Sequence, residues 1–584
     1  MPPACAALRL AFCLTLSLAA AASHTHSLAL PDDPASWKEL RGPHFTLYSN
    51  ADDKTIRDAA TNLETFRAVL GRVTEGLKVS SATPTVVFLF PGAEEFDPYK
   101  GDRPPGQRER LAGYFQPAPE ANYMALDAGA GEITWRVIYH EYVHQIMNES
   151  VAKAPLWLHE GMAEFYSTFT CEKAQAKIGL PVREHARLLR KRDLIPLYDL
   201  FTIRQDSPDY QGEGKSEVFY AQSWALVHYL LLGSPQREGQ LKGFLLLLEE
   251  GGDLDDAFAS AFRTSWAGLE RELAEYVGRD DFAFTTVDLV ELKLPEPAEP
   301  RPVAPAEILT QLGSLLARLG EECAGDAEEH FEKALSYDPH HARARAALAK
   351  LMRRQERAEG VGGRGGAGET ATLLDEAEAL APSDPSVLLA KAQDLIGRVT
   401  GAGEGPVRIP KEPPAEIVQA RELLRKVLEA EPGNVEAGRS LGMVCLLGGE
   451  DLAVGVAALE KATALAPLRA DVAFVLLQLY ARQGERGKAE SLVEGSLRKS
   501  APPGMLQAAE EVILMMDLRE VDGLVRDGKF REALAIVRRV MRETRNPELR
   551  KELESQVEGL EAAAAAEREA AAGREGAAAG VGGN

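Results

Sequence analysis

Pro432, Pro467 and Pro502 stand 35 residues apart, and the positions before them repeat as well. Ala420, Leu424, Val427, Glu431 and Pro432 are matched by Gly455, Leu459, Ala462, Ala466 and Pro467, and by Ala327, Phe331, Ala334, Asp338 and Pro339. The first three positions of each set fall at i, i+4 and i+7, one stripe of a helix. A small residue in that stripe lets a second helix approach closely, and the proline cannot continue the helix it follows. One period therefore holds two helices. Such a unit buries its apolar stripe only by stacking on its neighbours, so residues 306–560 are predicted to form an all-α solenoid. Weaker copies end at Pro382 and Pro502, and another covers Ala533, Val537 and Val540; the Gly-rich stretches 360–368 and 401–414 read as loops between repeats.

This period resembles that of the tetratricopeptide repeat, a helix pair of about 34 residues. The chain before it has a different character. His44–Ser49 alternates, Pro84–Phe90 is a continuous apolar run, and Leu111–Phe115 and Asn122–Asp127 are further strand candidates, with helical spacing over Thr55–Leu77 and from Trp135 onward. The expected fold class is α+β: a small N-terminal β-sheet and a helical subdomain over residues 28–285, followed by the all-α solenoid. Residues 286–305, rich in proline, read as a linker, and the Ala/Gly-rich residues 561–584 as a disordered tail.

Residues 1–23 read as a secretory signal. Arg9 gives it a thin positive region, Leu10–Leu18 is an apolar core too short to span a bilayer, and Ala20–Ala22 offer small residues for cleavage. Phe12 precedes Cys13 where a lipid-attachment site needs a small residue, so the expected destination is the periplasm or the medium, with no membrane span after cleavage. The remaining Cys171, Cys323 and Cys445 are too few and too scattered for a disulfide framework and are expected to be small buried side chains. A net charge of −23 argues against nucleic acid as a partner.

The chemistry is concentrated in Val137–Met147, VIYHEYVHQIM. His140 and His144 are four apart, so a helix projects both rings from one face, a separation that suits two nitrogens on one Zn²⁺. Glu141, next to the first histidine, is placed to take a proton from a water activated by that metal. Pro155–Ser167, PLWLHEGMAEFYS, puts Glu160 and Glu164 four apart among apolar residues, where two carboxylates are costly without a cationic partner. Glu160 is expected to be the third ligand. Glu164 is expected to accept a hydrogen bond from His140 or His144 and fix its tautomer. His159 is a rival ligand, but it points about 100° away from Glu160. Gly161 is expected to let the helix of Glu160 pack close to that of the histidines.

His140-Glu141-x-x-His144 followed by Trp157-Leu158-His159-Glu160-Gly161-Met162-Ala163-Glu164 resembles the gluzincin metallopeptidases, with a distant similarity to the aminopeptidase N group and a closer one to peptidase-MA-like proteins. The resemblance implies a zincin-type catalytic domain, Glu141 as base, Glu160 as ligand, and a downstream tyrosine holding the oxyanion. Tyr220, sixty residues beyond Glu160, stands in a comparable place. There are departures. The 15 residues between His144 and Glu160 are fewer than in aminopeptidase N, and no Gly-x-Met-Glu-Asn segment precedes the zinc motif, so exopeptidase activity is not implied. Asn122–Asp127 is a candidate edge strand for an extended peptide. The functional expectation is an exported zinc peptidase acting on peptide or protein substrates. The alternative is a cell-envelope scaffold whose repeats bind a protein partner, with an inactive or regulatory peptidase-like domain.

Overall fold

The computed structural model describes residues 30–580, apart from 75–76, 104–107, 110, 153, 173, 205–206, 208–214, 293, 297, 360–366 and 402–411. The expected signal segment lies outside the described residues.

The N-terminal part is built on a six-stranded mixed sheet in the order β4-β5-β3-β2-β1-β9. Its strands are β1 (Lys38–Arg41), β2 (Phe45–Ser49), β3 (Thr85–Phe90), β4 (Gly113–Gln116), β5 (Asn122–Asp127) and β9 (Arg301–Pro302). β2, β3 and β5 are parallel, with Leu47 opposite Val87 and Val87 opposite Met124. β4 runs antiparallel to β5 and closes one edge. A second, three-stranded sheet is made of β6 (Thr170–Glu172), β7 (Gln175–Ile178) and β8 (Thr285–Asp288).

Strand alternation explains what covers the main sheet. Leu47, Val87, Leu89, Met124 and Leu126 point to one face, where they join a core with Leu63 and Phe66 of α1 (Asp53–Val73) and Ile138 of α2 (Glu132–Ser150). Tyr48, Phe88, Phe90, Tyr123 and Ala125 point to the other, against Ile308, Leu312, Leu315 and Leu316 of α7 (Pro305–Leu319). The central strands are thus buried on both faces, which is why their sequence is apolar without interruption.

The helical subdomain holds α3 (Leu156–Ser167), α4 (Arg183–Leu189), α5 (Lys215–His228) and α6 (Trp266–Val277). The repeats follow as consecutive packed helices: α7 with α8 (Ala324–Tyr337), α9 (Ala342–Glu359) with α10 (Ala367–Leu380), α11 (Pro385–Thr400) with α12 (Ala415–Ala430), and α13 (Val435–Gly448) with α14 (Leu452–Leu465). Further helices continue this succession to Gly580. Pro339, Pro382, Pro432 and Pro467 each fall just beyond the second helix of a pair. The small residues allow close approach, as expected: a Cβ at Gly455 of α14 would lie 2.8 Å from Cys445 Cβ of α13.

Several expectations meet a different arrangement. Residues 286–305 are tied to the fold by β8, by the pairing of β9 with β1, and by α7, so the first repeat completes the core of the N-terminal sheet. The last helix, Pro547–Gly580, runs through most of the segment read as a disordered tail; its alanines, glutamates and arginines are strong helix formers. Asn122–Asp127 is an interior strand, hydrogen-bonded to β3 and β4, and the free edge belongs to β4. Cys323 and Cys445 are buried, but Cys171 is exposed on β6. The repeats also return to the N-terminal part, where Lys78 donates to the Leu465 carbonyl and Lys499 lies 3.7 Å from Glu249. No described helix is long and apolar enough to cross a membrane.

Candidate metal centre

α2 begins where the chain leaves β5. Asp127 caps the turn by accepting from Gly129 N–H at 2.8 Å, and Thr134 donates its hydroxyl to the Asp127 carbonyl. Ile138, Tyr142, Val143, Ile146 and Met147 are buried and fix the roll of the helix. His140 and His144, one turn apart, then face α3, which packs alongside.

The two rings meet Glu160. His140 Nε2 and His144 Nε2 are 3.0 Å apart, and Glu160 Oε2 lies 3.5 Å from the first and 3.3 Å from the second. Among the described residues this is the one group of three histidine, cysteine or carboxylate side chains that converges closely enough to hold a metal ion. Two of its edges fit a tetrahedral ion, whose bonds of about 2.0–2.2 Å place two ligand atoms about 3.3–3.5 Å apart, and the edge between the two histidines, at 3.0 Å, is shorter. Two imidazole nitrogens and one carboxylate oxygen are also a donor set that leaves a fourth position open on zinc.

Glu164 stands behind His140. Its Oε1 lies 3.3 Å from His140 Nδ1, and its Oε2 lies 3.2 Å from His185 Nε2 on α4, with Arg136 at 4.0 Å. A carboxylate only accepts, so Nδ1 carries a proton and donates it to Glu164, which would leave Nε2 as the ring atom free to bind a metal. Sequence reasoning found Glu164 and missed His185 and Arg136. His185 carries no local signal, because α4 meets α3 only through tertiary packing; Arg136 stands four residues before His140 on α2, so its place on that face was open to the same spacing argument.

Residues 135–241 match the profile of a family described as "Protein of unknown function (DUF1570)". That span holds His140, Glu141, His144, Glu160, Glu164 and Tyr220, and it covers 107 of the 584 residues. No curated protein sequence matches the chain. Solved structures similar to it include PilF of Pseudomonas aeruginosa, at 18% identity over 43% of this chain and 97% of that one, with a TM-score of 0.29. A thermophilic TPR protein of Thermus thermophilus is 19% identical over 36% of this chain and 99% of its own, with a TM-score of 0.27. YrrB, described as a TPR protein with an unusual peptide-binding site, is 16% identical over 35% of this chain and 92% of its own, also at 0.27.

The charges of the site are strongly coupled. Burial disfavours a charged His140 ring, but hydrogen bonds to Glu160 and Glu164, with the charges of Glu164 and Glu141, outweigh it and push the ring up to about 10. Burial likewise disfavours the Glu160 carboxylate, yet His140 and His144 hold it down at about 2. Glu164 lies lower still, held by His140 and His185 against its own burial. This pocket is therefore built for a positive charge, and a divalent cation would take the place of the proton on His140. His159 sits outside the triangle: its ring centroid is 6.2 Å from that of His144, and burial, with the nearby His144, brings it down to about 4.

Glu141 is half-buried beside His140 and acts on it through charge. Tyr220 is half-buried on α5 and meets Phe219 edge-on. Ser223 and Val227 of α5 lie against Gly161, and Tyr220, three residues before Ser223, shares that side of the helix. Gly161 itself serves a neighbour other than the one expected. A Cβ there would lie 2.5 Å from the Ser223 carbonyl oxygen, so glycine is required by the approach of α5.

Proposed function

We propose that the protein is an exported zinc-dependent peptidase with His140, His144 and Glu160 as the metal ligands. The observation that carries this reading is the triangle of two Nε2 atoms and one Oε2, with edges of 3.0, 3.3 and 3.5 Å, backed by Glu164 on His140 Nδ1. A zinc ion bound there supplies Lewis-acid polarisation and a water acidic enough to attack at neutral pH. Glu141 removes the proton of the attacking water and returns it to the leaving amine. Tyr220 donates its phenol to the oxygen on which negative charge develops. Glu164 holds the His140 ring in orientation and tautomer. The free edge of β4, beside α2, offers backbone hydrogen bonds to an extended peptide.

The test is metal content and cleavage together. Purified full-length protein is expected to retain one zinc per chain and to cut a peptide library, with loss on chelation and recovery on adding zinc. Full activity in Glu141→Gln would end the catalytic reading, and so would a wild-type protein that retains no zinc.

A second reading is favoured by the repeats: a scaffold for protein partners, with the N-terminal domain inactive or regulatory. Its specific support is a cavity of about 450 Å³ enclosed by the repeat helices and the loop before β5. Partner capture by the full chain, undiminished in a Glu141→Gln variant and without proteolysis, would favour it over the first.

A further inference from the structure

That cavity has a charge unlike the rest of the molecule. Its walls are α7, α9, α11 and the loop 117–121 of the N-terminal domain. Six cations line it: Arg318, Arg343, Lys350, Arg353, Arg354 and Arg357. Only Glu120 and Asp394 oppose them in the lining, in a chain whose net charge is −23. On α9, positions 343, 350, 354 and 357 fall at i, i+7, i+11 and i+14, a single helical face.

Local pairing does not cancel this charge. Arg343 is taken by Asp384 at 2.7 Å and Glu307 at 3.3 Å, and Arg353 by Asp394 at 2.7 Å and Glu356 at 2.9 Å. Lys350 and Arg318 share one carboxylate, Glu120. Arg354 donates to the Ala317 carbonyl, and among the described residues no carboxylate pairs with Arg354 or Arg357. Four cations therefore face Glu120, and the charge of Glu436, itself paired with Arg439 and Arg469, also acts on Lys350. Burial pulls the Lys350 ammonium below the ordinary lysine range even with Glu120 beside it. Gathering cations in a partly enclosed cavity is unfavourable until an anion joins them.

We propose that this cavity is a docking site for an acidic peptide segment of a partner protein, and that Glu120 is the resident carboxylate it displaces. Glu120 arrives on the bend at Pro119 and Glu120, in the loop that leads into β5, so the chain itself already seats one peptide carboxylate among these cations. The half-buried apolar side chains of Val86, Ala317 and Ala347 among the cations suit a peptide better than a phosphate backbone, and the overall negative charge disfavours nucleic acid. The inference rests on the scaffold reading of the repeats and on no property of the metal centre.

The experiment is fluorescence anisotropy with the full-length protein and a labelled oligoglutamate peptide, alongside an oligolysine peptide and a single-stranded DNA oligonucleotide. Oligoglutamate is expected to bind and oligolysine not. Glu120→Gln, which releases Lys350 and Arg318, should tighten binding roughly tenfold, and the double substitution Arg354→Glu with Arg357→Glu should weaken it by about the same factor. Both arginines are exposed, so the double variant should keep the wild-type melting temperature and separate lost binding from lost folding. Absence of oligoglutamate binding in both wild type and Glu120→Gln overturns the proposal, as does binding indifferent to the two arginine substitutions. Tighter DNA binding through the same arginines would assign the cavity to nucleic acid instead. Oligolysine binding without oligoglutamate binding would keep the scaffold reading and defeat this one.

Discussion

His140 Nδ1 lies 3.3 Å from Glu164 Oε1, on the side of the ring away from Glu160. One imidazole is thus held between two carboxylates that sit a turn apart on α3. Glu164→Gln leaves a group that can present its amide instead of an acceptor and removes the charge. It is expected to weaken zinc binding by about 10–100-fold while the fold survives. Competition with a chromophoric chelator measures this; an unchanged affinity would detach Glu164 from the centre.

Zinc should stabilise the protein by mass action, since the triangle of ligands exists only in the fold. The melting temperature is expected to rise with free zinc, and the gain should reach about 2.7 kcal/mol at a hundredfold excess over the dissociation constant. Glu160→Ala should abolish that dependence. Differential scanning calorimetry over a zinc series reads both outcomes.

Gly161 allows α5 to lie on α3, with the Ser223 carbonyl 2.5 Å from where a Cβ would be. Gly161→Ala must push two helices apart or strain the backbone, at a cost of about 1–3 kcal/mol. The same displacement moves Glu160, the adjacent residue. Thermal unfolding should show the loss of stability, and zinc affinity should fall with it.

His228 is fully buried and satisfied as a neutral ring. Its Nε2–H donates to the Gly179 carbonyl at 2.8 Å, and Tyr276 donates its hydroxyl to Nδ1 at 2.7 Å. Burial holds it below the ordinary histidine value. In the unfolded chain the ring takes a proton near pH 6.5, which the folded state refuses. Stability from this residue is therefore intact above about pH 6.5 and falls as the pH drops below it. Melting temperatures of wild type and His228→Phe, measured from pH 7.5 to 5, should converge toward the acid end as the wild type loses its advantage.

The first repeat and the sheet share one core through Leu316 and Phe331, both essentially inaccessible to solvent. Leu316→Ala is expected to cost about 2–5 kcal/mol and to destabilise the N-terminal domain as well as the repeats. A protein ending before Pro305 would expose Phe88, Phe90 and Tyr123 and should aggregate. Soluble, folded material from that truncation would show the two parts to be independent.

Local sequence singled out His140, His144 and Glu160, which the fold brings together, because its information is periodic. Four residues separate His140 from His144 and Glu160 from Glu164, and a helix turns each pair onto one side whatever surrounds it. The repeats were legible for the same reason, from a 35-residue period closed by prolines. Proline content misled at residues 286–305, because a strand of two residues and a helix start at Pro305 need no apolar run to announce them.

What the sequence determined by itself was the repeat helices, the core strands β2, β3 and β5, and the donor atoms placed along α2 and α3, since these depend on spacing within one segment. Tertiary structure alone decided which segments meet: α5 against Gly161, α4 bringing His185 to Glu164, the first repeat covering the sheet, and Glu120 entering the basic cavity. Those contacts join residues as far apart as 120 and 350, and no local pattern encodes which distant surface will be complementary to another. Packing and charge, settled together over the whole chain, make that choice.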